Sequence, residues 1–191
     1  MGTQLRLTID RIDTPIGRLI VATDDNGNLR AADFEEYEVR MNRLLRIHYG
    51  EAGYAIGSAR NPDGVSESIA EYFAGRLDAI DEVPVRTGGT EFQRQVWAAL
   101  RRIPCGTTVS YAELAGRIGR PAAVRAVGLT NGSNPISIVI PCHRVIGSNG
   151  TLTGYGGGLA RKRWLLAHEG VELPLGQNGG SRVDHRLIVS T

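Results

Sequence analysis

The sequence predicts an α+β protein of two modules, a small sheet-plus-helix module followed by a mostly helical one. Strand signals concentrate near the amino-terminal end, helix-start signals concentrate after residue 89, and the net charge reverses between the two regions. Residues 1–85 contain nine arginines against fifteen acidic residues, a net charge of −6, whereas residues 86–170 contain eleven basic residues against three glutamates, a net charge of +8. This reversal makes the second module a candidate for binding a polyanion, although a solvated basic face would give the same count.

The first module contains three strand signals and two helix signals. Alternating or continuous apolar residues predict strands at 5–9, 19–22 and 29–34. Apolar residues at helical spacing predict one helix over residues 37–48 and another over about 66–75. No catalytic constellation is found in this part of the sequence, so we expect residues 1–76 to form a support module.

A linker and a tail bound the second module. Residues 77–89 contain Pro84 and two consecutive glycines, which break regular structure and predict a linker. Residues 90–170 are expected to form the functional module. The polar, glycine-containing stretch 171–191 is expected to form a tail.

Helix signals follow one another through the second module. Two capping boxes predict helix starts, Thr90 with Gln93 and Ser110 with Glu113. We expect Pro104 to end the first of these helices and Gly119 to end the second. A third helix is predicted over residues 121–130 and a fourth over 159–168, which Gly170 would close. Two short helices joined through a glycine, ending at 119 and starting at 121, indicate a helix-turn-helix.

The composition excludes several classes of protein. No apolar stretch is long enough to cross a membrane, and the amino-terminal residues show no secretory signal, so we expect a cytoplasmic protein. Two cysteines do not form a disulfide framework, and the four histidines are too scattered for structural zinc. We expect no metal site and no cofactor.

The segment IVIPCHRVIG, residues 138–147, is the strongest candidate for chemistry. The apolar run before Pro141 is interpreted as strand-like, so that Cys142 begins a turn beside His143. A free cysteine is more often a small buried apolar residue than a nucleophile. Nucleophilic use requires its pKa to fall by roughly two units, which a histidine held by a carboxylate would help to achieve. Because Glu113 is already assigned to a cap, Glu169 is the best orienting partner for His143.

Two further stretches, residues 121–131 and 154–158, are rich in small residues, which permit a ligand to approach the backbone closely. The predicted helix PAAVRAVGLTN, residues 121–131, is either a buried alanine-rich helix or one whose backbone approaches a nucleic-acid groove. Its single arginine, Arg125, could fill the gap left by a base rotated out of a duplex. The glycine-rich stretch 154–158 lacks the lysine of a phosphate loop and is expected to place backbone N–H groups near a small polar ligand.

These motifs together resemble the O6-alkylguanine-DNA alkyltransferases. The resemblance rests on FQRQVWAALRRIPCGTTVSYAELA, RPAAVRAVG, NGSNPISIVIPCHRVIG and GYGGGLARKRWLLAHEG, with PCHRV the most specific. The amino-terminal TPIGRLIVA and EYFAG are similar to bacterial, constitutively made members. The resemblance implies a ribonuclease H-like first module and repair in a single turnover, in which a flipped O6-alkylguanine gives its alkyl group to a cysteine. O4-alkylthymine is a second candidate substrate.

The resemblance also implies roles for individual residues. Cys142 would accept the alkyl group, His143 would deprotonate it through a water molecule, and Glu169 would orient His143. Asn134 would brace the preceding turn. Tyr111 would donate a hydrogen bond to guanine N3 as charge develops on the leaving base.

Further residues would hold the base and the duplex. The carbonyls of Cys142 and Val145 would accept from the exocyclic amine, and the backbone around Tyr155 and Gly156 would meet the O6 side. The helix would lie in the minor groove, with Arg125 in place of the flipped base. Its other expected DNA contacts are Pro121, Ala123, Ala126 and Thr130.

The expected partner is double-stranded DNA that contains alkylated bases, bound by a monomer with little sequence preference. The opposite charges of the two modules suggest contact between neighbouring molecules on DNA. The zinc sites of some family members are not possible with two cysteines. Three alternatives stay open at this point: a damage sensor, a cysteine hydrolase that uses Cys142, His143 and Glu169, and a transcription factor with an inert cysteine. The sensor is disfavoured because related sensors replace the acceptor cysteine.

Overall fold

The computed structural model describes residues 4–50, 53–60 and 64–172. Its first part is a four-stranded sheet with the spatial order β3-β2-β1-β4. The strands are β1 (Leu5–Ile12), β2 (Leu19–Asp24), β3 (Leu29–Phe34) and β4 (Tyr54–Ser58). β1, β2 and β3 pair antiparallel, and β4 pairs parallel with β1. The three predicted strands are confirmed, and β4 is an addition.

Helices cover both faces of this sheet. α1 (Glu38–Tyr49) buries Met41 and Leu45 against one face, where they join a small apolar cluster. α2 (Val65–Phe73) buries Ile69 and Tyr72 in the main core, which continues into the second half of the chain. Every residue of β2 and β3 is buried because the sheet is covered on both sides. The predicted α+β class is therefore confirmed.

Four α-helices follow between residues 87 and 172, the described part of the second half. They are α3 (Glu91–Leu100), α4 (Tyr111–Arg117), α5 (Val124–Gly132) and α6 (Leu159–His168). A short parallel ladder joins β5 (Val109–Ser110) to β6 (Val145–Ile146). Both predicted capping boxes are present at the starts of α3 and α4. The extent predicted for α6 is also confirmed.

Two helix boundaries differ from the sequence prediction. α3 ends at Leu100, before Pro104, because the chain leaves the helix through a turn at residues 101 and 102. The helix predicted over 121–130 begins with a 3₁₀ turn at Pro121–Ala123, and the α-helix continues two residues beyond Thr130. Gly119 ends α4 as predicted, in the left-handed region with a φ of 69°.

The apolar run before Pro141 is not a strand, which corrects the strand-like interpretation. Residues 137–139 form turns, and Ile136 makes only an isolated bridge to Ala32 of β3. Ile138 has a φ of 71°, a strained conformation for a β-branched residue. Ile136, Ile138, Val139 and Ile140 are all fully or almost fully buried. The apolar composition of this run therefore predicts its burial correctly, but the composition of a short apolar run does not determine its backbone conformation.

Within the described ranges, no helix is both long and apolar enough to cross a membrane. The tail predicted from residue 171 lies outside the described residues after position 172.

We predict that Thr90→Ala lowers the free energy of unfolding by about 1 kcal/mol, because the Thr90 hydroxyl accepts the Gln93 N–H at the start of α3. Urea denaturation at neutral pH measures this change. Thr90→Ser is the matched control, since it keeps the hydroxyl. Equal stability of the two variants would contradict this account of the cap.

Candidate functional site

Cys142 and His143 begin a single 3₁₀ turn, Cys142–Arg144. Asn134 fixes the segment that leads into it: its side-chain nitrogen donates to the carbonyls of Ile136 and Ile140 at 3.2 and 2.8 Å, and its side-chain oxygen accepts from the Ile136 N–H at 3.0 Å. Cys142 is 5% exposed and His143 is fully buried. The turn therefore holds the thiol and the imidazole in a buried, braced position.

A buried carboxylate, Glu169, gathers four donors around itself. It accepts from His143 Nε2 at 2.9 Å, from the Tyr72 hydroxyl at 2.8 Å, and from Arg144 Nε and Nη2 at 2.8 and 2.9 Å. Arg144 also donates to the Ile103 carbonyl. Burial raises the pKa of Glu169, but the bonds from His143 and Arg144 outweigh burial and hold the pKa far below its usual range. The structure thus brings together His143 and Glu169. The sequence analysis predicted this pair because Glu113 was already assigned to a helix cap.

These contacts determine the protonation of His143. Burial lowers the pKa of His143, against an opposing effect of Glu169, so the ring is neutral near pH 7. A neutral imidazole has one N–H and one lone pair, and the ionised carboxylate of Glu169 only accepts. Nε2 therefore donates to Glu169, and Nδ1 keeps the lone pair. Nδ1 is buried and has no hydrogen-bond partner within the described part of the chain.

The electrostatics of Cys142 differ from the sequence expectation. Burial raises the pKa of the thiol rather than lowering it. The Asn134 side chain and the positive charges of Lys162 and Arg40 act in the opposite direction. The resting site therefore favours the neutral thiol next to a neutral histidine. The second cysteine, Cys105, has its pKa raised to about 11, mainly by burial.

Lys162 is a site residue that sequence reasoning missed. It lies on α6, is fully buried, and donates from Nζ to the Val145 and Thr153 carbonyls at 2.6 and 2.8 Å. Burial lowers its pKa to about 8. In the sequence Lys162 stands between Arg161 and Arg163, where it resembles an ordinary surface charge. Only the packing of α6 reveals it.

The first module also contributes to this region. Tyr72 of α2 binds Glu169, and Arg40 of α1 forms a two-pronged ion pair with Asp33 at 2.6 and 2.8 Å. The Arg40 guanidinium also packs so closely on Gly156 that any side chain at this glycine would collide with it. Tyr72 is 97 residues away from Glu169, and Arg40 is likewise distant in sequence from Gly156, so no local pattern indicated these contacts.

A cavity of about 290 Å³ opens at Cys142. It is lined by Tyr111, Gly128, Asn131, Gly132, Cys142, Gly154, Tyr155 and Gly156. The Tyr111 hydroxyl accepts from Thr153 Oγ1 at 3.0 Å. Val145 lies outside the lining set, and its carbonyl is bound by Lys162. A larger cleft of about 520 Å³ along α3 contains none of the predicted site residues.

The predicted DNA-contact residues divide between two faces. Pro121, Arg125 and Ala126 are exposed, and Ala123 is half-buried. Thr130 is 5% exposed and its carbonyl accepts from the Trp97 indole at 3.1 Å. Thr130 therefore lies on the side of α5 that faces the core, unlike the other residues expected at the DNA interface. Among the described residues, no cluster of three or more histidine, cysteine or acidic side chains could hold a metal ion.

Comparison with known proteins identifies both halves of the chain. The family model "6-O-methylguanine DNA methyltransferase, DNA binding domain" matches residues 91–171. The model "6-O-methylguanine DNA methyltransferase, ribonuclease-like domain" matches residues 9–87. Two curated relatives, from Shigella flexneri and Mycolicibacterium paratuberculosis, are both named methylated-DNA–protein-cysteine methyltransferase. The first is 59% identical over 87% of this chain and 97% of its own length, and the second is 49% identical over 83% and 89%.

Solved structures show the same likeness. The O6-methylguanine methyltransferase of Mycobacterium tuberculosis superimposes with a TM-score of 0.69 and 40% identity, over 91% of this chain and 96% of that chain. The OGT of the same organism in complex with DNA gives a TM-score of 0.64 and 38% identity, over 86% and 92%.

We predict that Glu169→Gln destabilises the protein at pH 7 by about 3–5 kcal/mol, because it leaves the Arg144 charge buried without its partner. Tyr72→Phe removes a single bond to the same charged group and is expected to cost about 1.5–3 kcal/mol. Urea denaturation measures both. A loss for Glu169→Gln no larger than that for Tyr72→Phe would argue against a charge-dependent network.

The same carboxylate predicts a pH dependence of stability. The folded-state pKa of Glu169 is depressed below its ordinary value of 4.5, so its contribution is complete above that pH and is lost as the pH falls below it. The free energy of unfolding of the wild type should therefore decrease more steeply below pH 4.5 than that of Glu169→Gln. Urea midpoints between pH 7 and pH 3 test this, and parallel curves for the two proteins would contradict it.

Proposed function

The chain belongs to the 6-O-methylguanine DNA methyltransferase family, and we propose that it repairs DNA by moving the alkyl group of an O6-alkylguanine irreversibly onto its own Cys142. It acts as a methylated-DNA–protein-cysteine methyltransferase. The observation that carries the assignment of Cys142 is its position in the wall of a base-sized cavity, next to a histidine that a buried carboxylate orients. O4-alkylthymine is proposed as a second substrate.

The proposed reaction is a single displacement. The Cys142 thiol loses its proton, and the thiolate sulfur forms a bond to the alkyl carbon. The bond between that carbon and O6 breaks, its electron pair stays on the guanine, and the base then takes up a proton. The alkyl group is then held in a stable thioether, whose C–S bond could break only by expelling a thiolate, so each molecule acts once, and the proposed reaction needs no metal or organic cofactor.

His143 is proposed to receive the thiol proton through a water molecule. Its Nδ1 lone pair is available because Nε2 donates to Glu169, and Nδ1 has no other partner in the described region. Burial opposes the thiolate, whereas Lys162, Asn134 and Arg40 favour it. The site therefore stabilises the charge on sulfur by fixed groups placed before the reaction begins.

The cavity is proposed to hold one flipped base. Its volume of about 290 Å³ is small among ligand pockets. Tyr111, on its wall, would donate to guanine N3, while the backbone around Tyr155 and Gly156 would meet the O6 side. The carbonyls of Cys142 and Val145 would lie near the exocyclic amine.

The DNA-binding residues are proposed from α5 and the turn before it. The chain binds DNA through its second half. Arg125 is exposed and would replace the flipped base, while Pro121, Ala123 and Ala126 permit close approach to the minor groove. We propose that the protein acts as a monomer with little sequence preference, and that the oppositely charged modules of neighbouring molecules meet along DNA. A free acceptor thiol also requires a reducing compartment such as the cytoplasm.

We predict that the wild-type protein gains one methyl group per molecule from a duplex that contains O6-methylguanine. Intact mass and peptide mapping should place that group on Cys142. Cys105→Ser should gain the same group and Cys142→Ser should gain none. Transfer to Cys105 would reject the acceptor assignment, and release of methanol or repeated turnover would indicate a hydrolase.

We predict that Arg125→Ala slows methyl transfer from duplex DNA by about a hundredfold, because unstacking a base costs a few kcal/mol and Arg125 offsets part of that cost. The rate with free O6-benzylguanine base should be unchanged, since no base must be flipped. Quenched-flow rates with both substrates provide the test. An equal loss with the free base would show that Arg125 acts on the cavity instead.

A further inference from the structure

One side of the cavity is formed by a segment with little structure of its own, residues 154–156, which we call the wall segment. All three of its residues line the cavity together with Cys142. Residues 151–155 belong to no helix or strand. Four of the five residues 154–158 are glycines, which leave the backbone many accessible conformations. The position of the wall segment must therefore be fixed by contacts from other parts of the chain.

Two consecutive residues of α6 hold the two ends of the wall segment. Lys162 Nζ donates to the carbonyl of Thr153, which directly precedes it, at 2.8 Å. Arg161 Nη1 donates to the carbonyl of Gly157, which directly follows it, at 3.1 Å. Displacement of either α6 side chain would therefore release one end of the wall segment and change its distance from Cys142.

Arg161 also binds the first module. Its Nε donates to the carbonyl of Ile16, in the turn between β1 and β2, at 2.7 Å. Its Nη2 forms an ion pair with Glu36 at 2.6 Å. The central carbon of its guanidinium group lies 4.1 Å from the centre of the Phe34 ring. Because the donors of a guanidinium group point in fixed directions, these contacts also fix the direction in which Nη1 meets the wall segment.

These contacts separate Arg161 from the other basic residues of the second module. Each of its three side-chain nitrogens already donates to an acceptor, and its side chain is mostly buried. Arg163, two residues later on the same helix, is exposed. Arg163 is typical of a charge that serves a basic surface, whereas Arg161 is placed to hold neighbouring segments together.

We propose that Arg161 is a positioning residue that holds the wall segment against the first module and so limits the size of the O6-alkyl group that Cys142 accepts. This inference rests on the proposed function and extends it to substrate selection. The cavity of about 290 Å³ contains both the acceptor and the wall segment, so the position of the wall determines the space beside the sulfur. Small displacements of the groups that position a substrate change reaction rates strongly.

The test compares duplexes that contain O6-methylguanine or O6-benzylguanine, which differ only in the size of the alkyl group. Single-turnover rates of transfer to Cys142 and half-saturating DNA concentrations are measured for the wild type, Arg161→Met and Arg161→Lys. Both variants should raise the ratio of the benzyl rate to the methyl rate about fivefold, the usual effect of one net hydrogen bond. The half-saturating concentrations should stay unchanged. Lysine keeps the charge, but its single nitrogen cannot replace three donors in a planar array.

Arg163→Met is the matched control, since Arg163 lies on the same helix and outside the lining of the cavity. It should keep the rate ratio of the wild type. Proportional slowing with both lesions in the Arg161 variants would overturn the inference and leave Arg161 a general structural role. A raised ratio in Arg163→Met would also overturn it. Absence of transfer from either duplex by the wild type would instead reject the proposed function. If Arg161→Met fails to fold, Arg161→Lys still decides the result.

Discussion

The architecture of the site depends on satisfying the buried negative charge of Glu169. A carboxylate removed from water is strongly unfavourable unless charged or polar donors surround it. Here the donors come from two separate regions, Tyr72 in α2 and the adjacent pair His143 and Arg144 in the reactive turn. Satisfying this charge therefore fixes the position of the turn relative to both modules. The orientation of the imidazole follows from the same requirement, because only one of its nitrogens can face the carboxylate.

The pKa of Cys142, in contrast, depends on burial and on nearby positive charges, which act in opposite directions. Cys142 is buried in the wall of the cavity, and this burial raises the pKa of the thiol and favours its neutral form in the resting state. The positive charges of Lys162 and Arg40 favour the thiolate, and Arg40 is itself paired with Asp33. Lys162 achieves this while bound to two carbonyls, which keeps its charge in a defined position. A protein that reacts once gains from a thiol that is inert until a base and a water molecule complete the site.

Sequence reasoning succeeded where the signal is local. The capping boxes of α3 and α4 need residues three positions apart, so they are visible in the sequence. It failed for β4, whose mostly exposed residues show no alternation, and for the apolar run around Ile138, where burial was mistaken for a strand. Thr130, which the sequence analysis grouped with exposed residues of α5, lies on its buried side. Tyr72 and Arg40 were missed because Glu169 and Gly156, which they contact, are distant from them in sequence. Lys162 was missed because a lysine among arginines resembles a surface residue.

In the proposed function, α5 would link recognition of the duplex to recognition of the base. Its exposed side presents Arg125, while Gly128 and Asn131 form part of the cavity wall. The Trp97 indole holds the Thr130 carbonyl on the third, buried side. Because Arg125 and Gly128 are three residues apart on α5, they are separated by about 4.5 Å along the helix axis. In the proposed function, a base that leaves the duplex beside Arg125 would therefore have the cavity within reach, and binding energy gained at the duplex would help to position the base against Cys142.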